Sequence, residues 1–147
     1  MTYDSKRAAI LDNLKTLLTT KLTWAKTVDW QKVRLLSADF KDHELPVVQF
    51  YHLRTDYEQQ QGRVQASAQF SVEVCMKSQA TGVIDQRDLF DKMDDVLKAI
   101  GSNPNLGIPG MIHLRLVSDE TDTHTISPHY IGILNFEAVY LTTYTGC

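Results

Sequence analysis

The chain has 147 residues and a net charge of −3, enough for one domain, residues 1–147, with a core of its own, and its apolar and aromatic content excludes disorder. Residues 1–77 carry +2 and residues 78–147 carry −5, so neither half is the basic patch that nucleic-acid binding requires. Two cysteines, Cys75 and Cys147, make neither a disulfide framework nor a metal-ligand spacing, which points to a reducing compartment, and AAILDNLKTLL is too broken by Asp12, Asn13 and Lys15 for a signal peptide or a membrane span.

The first element is an amphipathic helix from Ser5 to about Thr20, with Ile10, Leu11, Leu14, Leu17 and Leu18 on one stripe and Asp4 as the expected N-cap. The following stretch has two tryptophans, Trp24 and Trp30, and no sustained period; Val33 to Leu36 is its one strand-like piece. PVVQFYHLRTDYE and RVQASAQFSVEVCMK then read as the arms of one long hairpin turning at Gln61-Gly62. The second arm alternates throughout: Val64, Ala66, Ala68, Phe70, Val72, Val74 and Met76 share one face. Its 15 residues would extend about 50 Å at about 3.3 Å each, beyond the roughly 38 Å breadth expected of a compact chain this size, so part of the arm is expected to overhang. An even-numbered turn places Tyr51, Leu53, Thr55 and Tyr57 opposite Val72, Phe70, Ala68 and Ala66.

VIDQRDLFDKMDDVLKAIG reads as a second helix with Leu89, Phe90, Met93, Val96, Leu97 and Ile100 inward and Gly101 as its stop. MIHLRLV is a short strand, DETDTHTISPHY a polar loop, and GILNFEAVYLTTY a last strand with Leu134, Phe136, Ala138 and Tyr140 on one face. The order implies an α+β fold: a mainly antiparallel sheet with a long β-hairpin, and two helices packed on one face.

Chemistry finds little support. Cys75 and His52 lie on paired arms, nominally on one face, but the expected register sets them four residues, or about 13 Å, apart, so Cys75 reads as an ordinary strand cysteine. Asp119, Glu120, Asp122, His124 and His129 offer metal-type ligands, yet their spacing matches no EF-hand, HExxH helix or carboxylate triad. Phosphate-binding glycine loops and nucleophile elbows are missing from the sequence. Arg54 and Arg63 beside Tyr57 suggest a nucleic-acid finger, but Asp56 and Glu58 cancel the charge. No catalytic, cofactor-binding or metal site is expected. An open sheet, by contrast, has edges that pair with other chains, which favours assembly over catalysis.

RAAILDNL, LPVVQFYHL, AQFSVEVCMK, DLFDKMDDVLKAI and LNFEAVYLTTY resemble, in that order and over about residues 7 to 144, the tail terminator (tail completion) proteins of long-tailed bacteriophages, of the lambda-like kind. The resemblance implies a structural virion protein without enzymatic activity or cofactor. It would form a hexameric ring on the head-proximal end of the tail tube, end tube polymerisation and supply the head-tail joining surface. The implied partners are further copies of itself, the tube protein and a head-tail connector or neck protein. Assembly would take place in the host cytoplasm, without a membrane, and DNA would pass through unbound. The hairpin would supply the ring or tube contacts: Arg54, Thr55, Asp56, Tyr57, Glu58, Gln59, Gln60, Gln61, Arg63, Gln65, Ala66 and Gln69. The rival readings are another neck, head-completion or tube protein, and a small metal-dependent hydrolase built on the Asp119 to His129 segment.

Overall fold

The computed structural model describes residues 5–31, 45–77, 83–122 and 129–142. Over these the chain forms helix α1 (Lys6–Lys21), strands β1 (Thr27–Trp30), β2 (Val47–Gln60) and β3 (Arg63–Lys77), helix α2 (Val83–Gly101), and strands β4 (Met111–Asp122) and β5 (His129–Thr142). The strands make one sheet in the order β1-β2-β3-β5-β4. β1 joins β2 in parallel and every other pairing is antiparallel. Both helices pack on the same face, so the fold is α+β as the pattern predicts. β1 is an addition to the sequence reading, too short to show a period; the expected strand at Val33 to Leu36 and the expected N-cap Asp4 lie outside the described residues.

β3 is the axis of the sheet. β2 flanks it from Arg63 to Cys75 and β5 from Val64 to Lys77. The expectation of an overhanging arm is therefore corrected: β5 accompanies β3 to the hairpin turn, and the whole sheet is long because its neighbours are. The alternation holds, with Val64, Ala66, Ala68, Phe70, Val72, Val74 and Met76 all buried. Ala66 and Ala68 are fully enclosed within the chain itself, because β5 lays Tyr140 and Ala138 beside them.

The turn is a two-residue loop, Gln61-Gly62, between the paired Gln60 and Arg63, and Gly62 takes the positive φ of 73° that such a loop needs. From the turn back to Arg54 the register is the expected one, with Tyr57 opposite Ala66 and Thr55 opposite Ala68. A bulge at Leu53 then shifts it, so that His52 meets Phe70 and Phe50 meets Val72. One extra residue reverses the sidedness of everything before it. Phe50 and Val48 are thus fully buried, while Leu53 is 51% exposed.

Ser5 caps α1: its backbone is extended and its hydroxyl accepts from the amide of Ala8. Ile10, Leu11, Leu14 and Leu18 enter the core, joined by Leu89, Met93, Val96 and Ile100 of α2. Phe90 departs from the expected inward stripe and is 45% exposed. Trp24, just after α1, donates its indole N–H to Asp95 at 3.0 Å, and Lys92 stands over its ring, so the acidic face of α2 is used for packing as well as solvation. Gly132 of β5 admits Met93 so closely that a Cβ there would lie 2.5 Å from the sulfur.

The bulge carries an ordering test. Phe50→Ala should cost about 3–5 kcal/mol and Leu53→Ala less than about 0.5 kcal/mol, read by denaturant titration; the reverse order would restore the unbulged register. Val72→Asp, which buries an unpaired carboxylate at the sheet centre, should abolish the cooperative thermal transition, since its cost of several kcal/mol rivals a typical total stability of about 5–15 kcal/mol.

Candidate functional site

The geometry separates Cys75 from His52. The bulge turns His52 to the helix-covered face, where its ring packs edge-on against Phe70 with centroids 5.4 Å apart and hydrogen-bonds the Thr55 hydroxyl at 2.6 Å. Burial, and then the charge of Arg7, lowers its pKa. Cys75 lies on the opposite face, in a small apolar cluster with Leu45, Val47 and Ile131. Burial first and the nearby Glu73 second push its thiol up to about 12, the reverse of what a nucleophile needs. With the sheet between them, Cys75 and His52 cannot exchange a proton.

Asp119, Glu120 and Asp122, expected in a polar loop, belong to β4, and His129 opens β5. Asp119 pairs with Leu134 and Glu120 with Ile133, so the two carboxylates project to opposite faces of the sheet. His124 lies outside the described residues. No cluster of three metal-ligating side chains occurs among the described residues.

Polar groups that the sequence reading did not single out lie in the opposite face of the sheet, which is helix-free among the described residues. Glu73 is buried and accepts from the Gln49 amide at 2.8 Å and the Tyr51 hydroxyl at 2.9 Å. The Tyr51 phenol is raised to about 12 by burial and then by the Glu73 charge. Beside them Ser71 donates to Asn135 at 2.6 Å, and Asn135 donates to Ser118 at 3.1 Å. These bonds lock β2, β3, β5 and β4 in register. Strict alternation in β3 assigns Ser71 and Glu73 to this face, and both are buried there.

The candidate surface is what the chain leaves open. In the distal half of the hairpin Arg54, Asp56, Tyr57, Glu58, Gln59, Gln61 and Arg63 are exposed, and Thr55, Gln65 and Gln69 are half-buried. Arg54 and Asp56 form an ion pair at 2.6 Å on its surface. Gln60 pairs with Arg63 at the turn. Ala66 is the member of the expected contact set that the chain keeps for its own core. β1 covers only Val47–Phe50, so β2 from Tyr51 onward has no strand on its outer side among the described residues. β4 forms the other edge. Five large exposed apolar side chains lie on these two edges: Leu53, Tyr57, Ile112, Leu116 and Val117.

The Cys75 thiol and the Tyr51 phenol set a pH limit. Cys75 and Tyr51 hold their protons in the folded chain to about 12, against ordinary values of 9.0 and 10.0. The unfolded chain therefore binds fewer protons between about pH 9 and 12, and stability falls as pH rises through that window. Melting temperatures measured from pH 8 to 12 should show the fall, and Cys75→Ala with Tyr51→Phe should flatten it.

No family model matches the chain, and no curated protein matches it. Among solved structures, the fold is similar to that of a chain from the virion of a native gene transfer agent particle, with a TM-score of 0.62 and 12% identity, over 96% of this chain and 100% of that one.

Proposed function

We infer that the chain is a structural protein of a phage-like particle, of the tail terminator type. Six copies form a ring on the head-proximal end of the tail tube, stop its growth and present the surface to which the head is joined. The observation that carries this reading is the likeness in fold, along nearly the full length of both chains, to a component of a gene transfer agent virion. The order of sequence phrases that resembles the terminator family supports the finer assignment, and so does a hairpin end that is polar and exposed apart from the buried Val64. The protein acts by assembly rather than catalysis. The same likeness also favours another neck or tube component, and the two roles differ in whether the ring closes the end of a tube.

Mixing the purified chain with tail tubes of its particle and imaging the product by electron microscopy decides between them. A ring with an open centre at one tube end, and arrested tube growth, is the expected result. Rings that leave the tube ends free would move the chain to another neck position, and its absence from purified particles would end the structural reading.

The hairpin test follows from the register. Replacing Gln59–Val64 by Asn-Gly joins Glu58 to Gln65, which are already partners, and leaves Ala66, Ala68 and Phe70 packed. The variant should melt cooperatively and fail to cap tubes; normal capping would remove the hairpin end from the contact surface. Six copies of a −3 chain carry −18, which disfavours phosphate binding. Duplex DNA should show no binding at physiological salt in a mobility assay.

A further inference from the structure

The two open edges of the sheet carry exposed apolar side chains among their charges. Soluble proteins blunt a free edge with lysine, proline, bulges or charge; Leu53–Gln60 and Met111–Asp122 contain no lysine or proline, and what protection they have comes from charges such as Asp56, Arg115 and Asp119 and from irregularities in the ladder. Each edge strand has bulges, at Leu53 in β2 and at Ile112 and Val117 in β4. All three bulge residues are apolar and more than half exposed. A bulge frees its side chain from the ladder and re-aims it, and here it aims apolar groups outward on both edges.

The geometry points to a head-to-tail contact in which the outer edge of β4 in one copy pairs with the outer edge of β2, beyond Phe50, in the next, so that the sheets run on from subunit to subunit. The inference rests on the ring reading and adds which surfaces meet. Its direction follows from the topology. β2 runs toward the hairpin turn and β4 runs away from it, since Met111 is level with Tyr140, Ala66 and Tyr57, and Asp122 with Ile131, Cys75 and Val47. Copies related by rotation about an axis along the strands keep their turns at the same end, so β4 meets the neighbour's β2 antiparallel.

Charge and shape select a register. Straight across one sheet, His113 is level with Val139, Ser67 and Asp56. A slip of two residues keeps every side chain on its own face and sets Arg115 opposite Asp56 and His113 opposite Glu58 on the helix-free side. On the helix side the same slip sets Leu114 opposite Tyr57, with Leu116 and Ile112 flanking the ring. The paired stretches, His113–Leu116 and Thr55–Glu58, are free of bulges. Arg115 now bonds Glu137 at 3.1 Å, and Asp56 bonds Arg54 at 2.6 Å; such surface pairs are weak and exchange readily. A two-fold contact of β4 with β4 would leave Leu53 and Tyr57 uncovered, whereas the head-to-tail contact covers both edges of every copy.

Two double variants of the full chain test this: Leu53→Lys with Tyr57→Lys blocks the β2 edge, and Ile112→Lys with Val117→Lys blocks the β4 edge. All four sites are more than half exposed, so melts within a few degrees of wild type are expected; glutamine at the same sites replaces any lysine pair that melts lower. Native mass spectrometry across a concentration series, with electron microscopy on tail tubes, is the readout. Wild type should form the closed assembly, alone or on tubes. Each variant alone should be monomeric and lose association by about 100-fold or more, as losing a cluster of central contacts does. Their equimolar mixture should yield a one-to-one dimer and nothing larger, because only one intact junction is left. Rings from either variant, a dimer of either variant alone, or no mixed dimer while wild type forms rings would each overturn the edge pairing and leave the ring reading intact. Open filaments of wild type, with the variants behaving as stated, would uphold the pairing and remove the ring. Wild type that never associates, with or without tubes, removes both.

Discussion

Everything in this fold depends on one strand being paired on both sides along nearly its whole length. β3 offers a hydrogen-bonding neighbour at each residue to β2 or β5, and its strict alternation sends seven apolar side chains to one face. Because buried backbone groups must be satisfied, a strand this apolar and this long requires two long neighbours. Those neighbours set the size of the sheet, and the sheet sets the floor on which α1 and α2 lie. The helices add the second layer, but their placement follows the apolar stripe beneath them: Ile10, Leu14 and Leu18 from one, Leu89, Met93 and Val96 from the other.

The same arrangement explains why the molecule has open edges. A centre that takes two long strands leaves β4 and the distal half of β2 with nothing beside them among the described residues. The helices occupy one face of the sheet, and the other carries a buried polar row about Glu73. The exposed apolar side chains of the strands therefore collect on the edges rather than on a face. The ring proposed above needs an adhesive surface on opposite sides of each copy, so that each can hold two neighbours. Two unlike edges of one sheet provide that geometry. Polar side chains at the hairpin end are exposed as well.

The Leu53 bulge links the two halves of this design. It separates a proximal half of β2, where Val48 and Phe50 build the core, from a distal half in which Arg54 and Asp56 to Gln59 are exposed. It also places His52 and Cys75 on opposite faces, which removes the pairing a sequence would suggest for catalysis. Burial takes Cys75 further from reactivity, with its thiol at about 12. On β4 the extension of the strand through Asp119 and Glu120 turns a group of possible ligands into alternating residues of an edge. In each case backbone hydrogen bonding, not side-chain chemistry, decided where the titratable groups stand.

Much of the fold was legible because period sets sidedness directly. The alternation of residues 63–77, the 3.6-residue stripes of both helices and the Leu134, Phe136, Ala138, Tyr140 face of β5 depend only on local geometry, and the structure carries them with the exception of Phe90. The distal register was legible only on the condition of an even-numbered turn around Gln61-Gly62; that the loop has two residues rather than four was decided by the structure. The bulge at Leu53 was not: an inserted residue leaves the composition of a strand unchanged, and its position depends on which of Phe50 and Leu53 the helices can cover. β1 is too short for a period, and β4 reads as polar beyond Val117 because an edge strand need not alternate when one side faces water. The exposed hairpin residues could be named from sequence, but the burial of Ala66 could not, since that depends on β5 reaching the turn. Local periodicity determined which faces exist; the order of strands in the sheet, set by pairing between residues far apart in the chain, decided which of those faces and edges stay open.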